Sequence, residues 1–265
     1  MLTYPYIDPV IFSLGPLSVR WYGLMYVIGF TAAYFLVSWQ ARRFGFNKLT
    51  AHLDNLNMTL IAGAILGGRL GYVLFYNLPY YRQHPLETFF TWQGGMSFHG
   101  GCIGVIVAGL LFCIKTDLSF WKTADLYVAT APIGLFFGRL GNFINGELFG
   151  RVTSSPAGMV FPDGGPLPRH PSQLYEAGLE GIVLFIILWS VKEKPWQNRK
   201  DPWPHGSLFA LFLFFYGAFR FIIEFFREPD PQIGYLLSWM TMGQILCSLM
   251  AFLGLLLFFV RNYLK

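Results

Sequence analysis

Charge is what this chain has least of. Only 12% of its 265 residues are Asp, Glu, Lys or Arg, against roughly 25% in an average soluble domain. Hydrophobic residues make up 54%, and the mean hydropathy is +0.47. That balance excludes a disordered chain and an ordinary soluble enzyme. The basic residues are scattered, so no nucleic-acid partner is expected. Cysteine is scarce as well. Cys102, Cys113 and Cys247 lie in apolar stretches without CxxC spacing, which excludes a disulfide scaffold and reads as small buried hydrophobes rather than a metal or redox site. A basic leader region with a cleavage site is missing at the N-terminus, so the first apolar stretch is expected to be retained. Internal repeats and low-complexity linkers are missing too, and the chain reads as a single polytopic membrane domain over 1–265.

Long apolar runs are plentiful. A helix needs about 20 mostly apolar residues to cross a bilayer. Seven stretches qualify: 20–39, 56–77, 96–114, 123–143, 172–191, 206–226 and 238–260. They are continuous rather than alternating, which excludes barrel strands. The expected fold is an all-α integral membrane protein of seven transmembrane helices. Residues 1–19, with Pro5, Pro9 and Pro16, are expected to lie along the interface. The longest loop, 143–171, is rich in Gly and Pro. Every lysine (Lys48, Lys115, Lys122, Lys192, Lys194, Lys200 and Lys265) falls on one side of this arrangement. By the positive-inside rule that side is cytoplasmic, which puts the N-terminus outside and the C-terminus inside.

Ionisable residues inside a bilayer are costly and mark function by default. Here their expected depths agree. Arg69, His99, Arg139, Asn142, Glu176, Arg220 and Glu224 come from five spans, yet all fall in the outer half, where Tyr22 and Tyr26 open span one and Asn145 and Glu147 follow span four. Arg220 and Glu224 are four apart on one helix face, and either a structural pair or a functional one fits them. Arg69 fits a helix brace as well as a ligand. Glu180 lies deeper and reads as structural. Arg139 has no carboxylate three or four residues away, so it reads as an intramembrane cation in need of an anion, and a lipid phosphate is one. The glycines Gly63, Gly67 and Gly71 have the spacing that lets membrane helices approach closely.

An outer-leaflet pocket with several arginines suits a phospholipid head group, because the planar guanidinium fork makes two parallel bonds to phosphate. Displacement at the glyceryl carbon of a phosphodiester lipid builds charge on the departing phosphate. An arginine there would stabilise it, and losing one such donor costs about 10²–10³ in rate. A transporter would instead place polar groups on both sides of the midplane. An intramembrane protease would need a facing nucleophile and base, whereas Ser97 and His99 are two apart on a helix. A third reading treats the whole set as helix-packing ion pairs.

The segment Gly138–Gly150, GRLGNFINGELFG, resembles the signature of the bacterial phosphatidylglycerol–prolipoprotein diacylglyceryl transferases. WYGLMY (Trp21–Tyr26), GGRLGYVLFY (Gly67–Tyr76), GGMSFHGG (Gly94–Gly101), RHPSQLYE (Arg169–Glu176) and YGAFRFIIEFFREPD (Tyr216–Asp230) follow in that family's order. The resemblance implies a seven-helix enzyme of the bacterial cytoplasmic (inner) membrane with its active site toward the periplasmic leaflet. It would move sn-1,2-diacylglycerol from phosphatidylglycerol to the lipobox cysteine of a prolipoprotein, releasing glycerol 1-phosphate. Its partners would be phosphatidylglycerol, lipobox segments and membrane lipids, with no cofactor. Carried onto this sequence, Arg139 and Arg220 would hold the phosphate and His99 would be the leading base for the thiol. Asn142, Asn145 and Gly150 would shape the head-group site. Tyr26, Tyr216, Glu176 and Glu224 would be positioning groups, Arg69 would line the substrate site, and Glu147 would bind substrate or fix the outer loop.

Overall fold

In the computed structural model, residues 2–15, 17–91, 94–197, 202–228, 235–236 and 240–263 are described. Pro16, Lys200, Pro229, Asp230, residues 238–239 and Lys265, all used in the sequence argument, lie outside them. Among the described residues, five helices are long and apolar enough to cross a membrane: α1 (Trp21–Arg43), α2 (Asn47–Phe75), the His99–Thr116 part of α4 (Phe98–Thr116), the Ser172–Trp196 helix, and α10 (Met242–Tyr263). A sixth apolar helix, α9 (Ser207–Ile223), has 17 residues.

The fourth expected span, 123–143, is not one helix. It divides into α5 (Phe120–Val128) and α6 (Ala131–Ile144). Pro132 sits in the first turn of α6 and lacks the N–H that a continuous helix would need. The turn between them closes on Tyr127 O, which accepts from Thr130 N at 3.0 Å and Thr130 Oγ1 at 2.9 Å. The fold is also not wholly helical. The expected interfacial segment carries a hairpin of β1 (Val10–Leu14) and β2 (Leu17–Arg20), turned at Gly15 with φ +60°. A second short pair, β3 (Tyr235–Leu236) and β4 (Met240–Thr241), precedes α10.

By internal contacts the chain forms two units, 38–123 and 1–37 with 124–265. In the 38–123 unit, α2 and α4 meet along glycines. A Cβ on Gly67 would lie against Gly100 O and 2.7 Å from Gly104 Cα, and one on Gly63 would lie 2.6 Å from Ala108 Cβ. The four-residue glycine spacing is therefore helix packing. Lys48 Nζ ties the two helices at one end, donating to Asp117 O at 2.7 Å and Asp117 Oδ2 at 2.8 Å. Lys48 holds the Asp117 carboxyl below the usual carboxylate range. After α2 come α3 (Leu78–Gln83) and a 3-10 turn, Pro85–Phe89.

In the other unit, α6 packs on α7 (Ser172–Glu176) and the π-helical Ala177–Val183, which continues into α8 (Leu184–Val191). The α9–α10 pair closes on Gly217 and Gly254. A Cβ on Gly217 would meet Cys247 O at 2.7 Å. The N-terminus of α10 is a capping box: Thr241 N donates to Gln244 Oε1 at 3.0 Å, and Gln244 N donates to Thr241 Oγ1 at 3.1 Å.

The 143–171 loop is a folded cap around Phe143, Met159 and Phe161. Tyr4 belongs to it, donating its hydroxyl to Phe143 O at 2.8 Å and Ile144 O at 3.1 Å. Those carbonyls belong to the last turn of α6, which lacks further helical donors; Phe143 O also accepts from Gly146 N at 3.0 Å. Cys113 and Cys247 are buried as expected, but Cys102 is exposed. An apolar stretch on a membrane helix can face lipid as readily as protein.

Candidate active site

The C-terminal parts of α6 and α9, the end of α7 and the π-helical segment after it bring six charged side chains together. Glu176, with no exposed side-chain surface, is the centre. Its Oε2 lies 2.6 Å from Arg139 Nε and 2.8 Å from Arg220 Nη1, and its Oε1 accepts from Arg227 Nη1 at 2.8 Å. Glu224 closes the outer edge. Its Oε1 lies 2.9 Å from Arg220 Nη2 and 3.4 Å from Arg227 Nε, and its Oε2 accepts from Thr241 Oγ1 at 3.2 Å. Gly243 allows this approach, because a Cβ there would meet the Glu224 carboxylate at 2.7 Å. Glu180 completes the set at 3.6 Å from both Arg139 Nη2 and Arg220 Nη1.

Arg139 is thus not the lone cation its own helix suggested. Its anion is Glu176, from the following helix, and counting three or four residues along α6 cannot find it. Arg220 and Glu224 do pair across one turn, within a larger network. Arg227, Thr241 and Glu180 were not singled out as site residues. Arg227 and Glu224 are three apart, so a helical-neighbour count carried past the end of α9 would have found that pair.

One turn beyond Arg139, Asn142 and Asn145 do not stand apart. Both donate to Glu147 Oε1, at 2.8 and 3.3 Å, while Gln173 Nε2 donates to Glu147 O at 2.6 Å. Glu147 therefore fixes the turn that leaves α6, where Gly146 and Leu148 have φ of +69° and +57°. A left-handed leucine costs about 1–2 kcal/mol. The Leu148 carbonyl accepts from Ser172 Oγ at 3.0 Å. Gly150 is a crossing point: a Cβ there would strike Phe226 O, and its N–H donates to His170 O at 2.8 Å. His170 stacks edge-on against Phe226 with Nδ1 3.2 Å from the Tyr175 hydroxyl, and burial pushes its imidazole pKa down.

Tyr26 sits on α1, half exposed, its hydroxyl 3.1 Å from that of Tyr22. The Tyr22 ring lies where a Cβ on Gly141 would fall, at 2.9 Å, so that glycine seats α1 beside the end of α6. Tyr216 is buried against Leu184 and Leu188.

Arg69 and His99 belong to the 38–123 unit. Arg69 is 4% exposed and donates to four backbone carbonyls: Thr88 O at 2.7 Å, Glu87 O at 2.6 Å, Gly94 O at 2.6 Å and Gly95 O at 3.2 Å. It braces the loop before α4, one of the two roles its sequence left open. Ser97 ends that loop: its N donates to Gly68 O at 2.8 Å, and its Oγ caps α4 by accepting from Gly100 N at 3.2 Å. His99 is exposed on the first turn of α4.

Residues 9–260 match the family model described as prolipoprotein diacylglyceryl transferase. The chain is 61% identical over 263 residues to the phosphatidylglycerol–prolipoprotein diacylglyceryl transferase of Desulfotalea psychrophila, covering 99% of this chain and 96% of that one. It is 54% identical to the protein of that name from Geobacter sulfurreducens, with 96% and 95% covered. For the one from Francisella tularensis subsp. novicida the identity is 51%, with 96% and 93% covered.

Proposed function

The chain belongs to the prolipoprotein diacylglyceryl transferase family, and on that premise we propose that it transfers the sn-1,2-diacylglyceryl group of phosphatidylglycerol to a lipobox cysteine. It is an enzyme of lipoprotein biosynthesis and a multi-pass membrane protein. The thiol sulfur forms a bond to the glyceryl carbon while that carbon's bond to the phosphate oxygen breaks. The products are a thioether and glycerol 1-phosphate, and the thiol proton leaves to a base or to the medium.

The observation that carries the reading is the meeting of Arg139, Arg220 and Arg227, from two helix ends, around one carboxylate at 2.6–2.8 Å. Each guanidinium keeps 16–18% of its side-chain surface exposed. Glu176 holds the forks in one fixed arrangement, so their orientation is set before a lipid phosphate arrives. Contacts to the leaving oxygen strengthen as it gains charge, which favours the transition state over the bound lipid. The Asn142–Asn145–Glu147 turn and Gly150 give this cluster a rigid outer wall, with Tyr26 and Tyr216 as positioning groups. His99 is the base for the thiol in this reading.

The site opens to the periplasmic leaflet of the inner membrane, with the N-terminus outside. In this arrangement the α5–α6 pair and α9 also cross, giving seven crossings in one domain. Reconstitution with phosphatidylglycerol and a lipobox peptide tests the whole reading. Glycerol phosphate release requires both substrates, and Arg139→Ala abolishes it while the protein stays folded. Unfolding on that substitution would favour a purely structural ion-pair cluster.

A further inference from the structure

The charged cluster is balanced before any ligand enters. Three guanidiniums, Arg139, Arg220 and Arg227, face three carboxylates, Glu176, Glu180 and Glu224. A lipid phosphate adds a negative charge to a site whose carboxylates are almost wholly buried, and an uncompensated buried charge is expensive. Something in the cluster must change when the anion binds.

The three carboxylates are not held alike. Glu176 takes three guanidinium contacts at 2.6–2.8 Å. Glu224 takes two, plus the Thr241 hydroxyl. Glu180 has 0% exposure, neither of its oxygens has a hydrogen-bond partner among the described residues, and its two contacts with arginine are both 3.6 Å. Charge-assisted bonds run at about 2.7–2.9 Å, so Glu180 is the member with least to lose on becoming neutral. It lies in the π-helical segment Ala177–Val183, a geometry found often at functional sites. The groups facing it are Arg139 from α6, Tyr216 and Arg220 from α9, Arg227 beyond α9, Cys247 from α10 and Glu176 on its own helix. Arg151, from the outer loop, spends its guanidinium on the carbonyls of Arg227 and Glu224.

We propose that Glu180 is the proton acceptor of the anion site: it takes up one proton when a phosphate group binds the guanidinium cluster and releases it when the phosphate leaves. The inference rests on the transferase reading given above. Glu180 acts through Arg139 and Arg220 and is a positioning residue. With its charge gone, both guanidiniums lose a competitor and turn more of their field to the phosphate.

The test uses the full chain in nanodiscs of zwitterionic lipid, with dioctanoyl phosphatidylglycerol as the probe. Calorimetry in two buffers of different ionisation enthalpy counts the protons taken up. Wild type is expected to take up close to one proton per lipid bound, and its affinity to fall up to ~10-fold per pH unit above the linked midpoint. Glu180→Gln should bind with a flat pH profile and no uptake, whereas His170→Asn should keep the uptake. Proton uptake that persists in Glu180→Gln overturns the proposal. So does wild-type binding without uptake, which needs no variant to fold. Wild type that binds no phosphatidylglycerol overturns the transferase reading itself, whereas binding and turnover without proton uptake overturn the Glu180 proposal alone.

Discussion

Arg69 and Arg139 are both arginines on apolar helices, and the protein treats them in opposite ways. Arg69 is 4% exposed and gives its donors to neutral carbonyls of one loop. Arg139 gives its donors to Glu176 and keeps 18% of its surface exposed. Backbone carbonyls cannot be protonated or swung aside, so an arginine satisfied by them is a permanent brace. A carboxylate takes a proton where a carbonyl does not, so the field an arginine shares with carboxylates can change during a reaction. An intramembrane arginine is a functional signal only once its partner is known.

The largest effect that could break this comparison is on turnover. Arg139→Ala should lower glycerol phosphate release by at least ~10²–10³, with the protein still folded by circular dichroism. Arg139→Lys should recover little, since a point charge lacks the fork. Arg69→Ala should do the reverse, destabilising by at least about 2 kcal/mol, the scale of leaving buried acceptors unmade. Thermal unfolding in detergent, read beside residual turnover, separates the two. A silent Arg69→Ala beside an unfolded Arg139→Ala would invert the comparison.

The packing around the brace is tested next. Gly67→Ala puts a methyl against Gly100 O and should cost about 1–3 kcal/mol, the usual range for overpacking. On the cluster's side, Tyr4→Phe removes the hydroxyl that closes the end of α6 and should cost about 1 kcal/mol. A loss of turnover larger than that loss of stability would tie the N-terminal segment to the site. The smallest effect belongs to Lys48 and Asp117. Asp117's lowered pKa adds stability above the usual carboxylate range, and that stability is lost as pH falls through the lowered value. Lys48→Met should flatten this acid limb in thermal unfolding followed against pH.

Much of the site could be read along single helices. Arg220 with Glu224 follows from four-residue spacing, and the Gly63–Gly67–Gly71 seam follows from small residues on one face. Partners on different helices could not be read that way. Glu176 is 37 positions from Arg139 and 44 from Arg220, and no local periodicity links them. Arg69 carried the same mark as Arg139, an ionisable group in an apolar run, and nothing nearby told carbonyl from carboxylate. Pro132 stood in plain sight, but the apolar run through it hid the break between α5 and α6.

By itself the sequence determined the solvent this protein needs, its helical character and its family. Those depend on apolar content, run length and ordered motifs, which are properties of the chain read in line. Only the tertiary structure decided which arginine faces carboxylates and which is spent on backbone, and that three carboxylates share three guanidiniums unequally. Coulomb attraction and hydrogen bonding act over a few ångströms of space, whatever the number of residues between the partners.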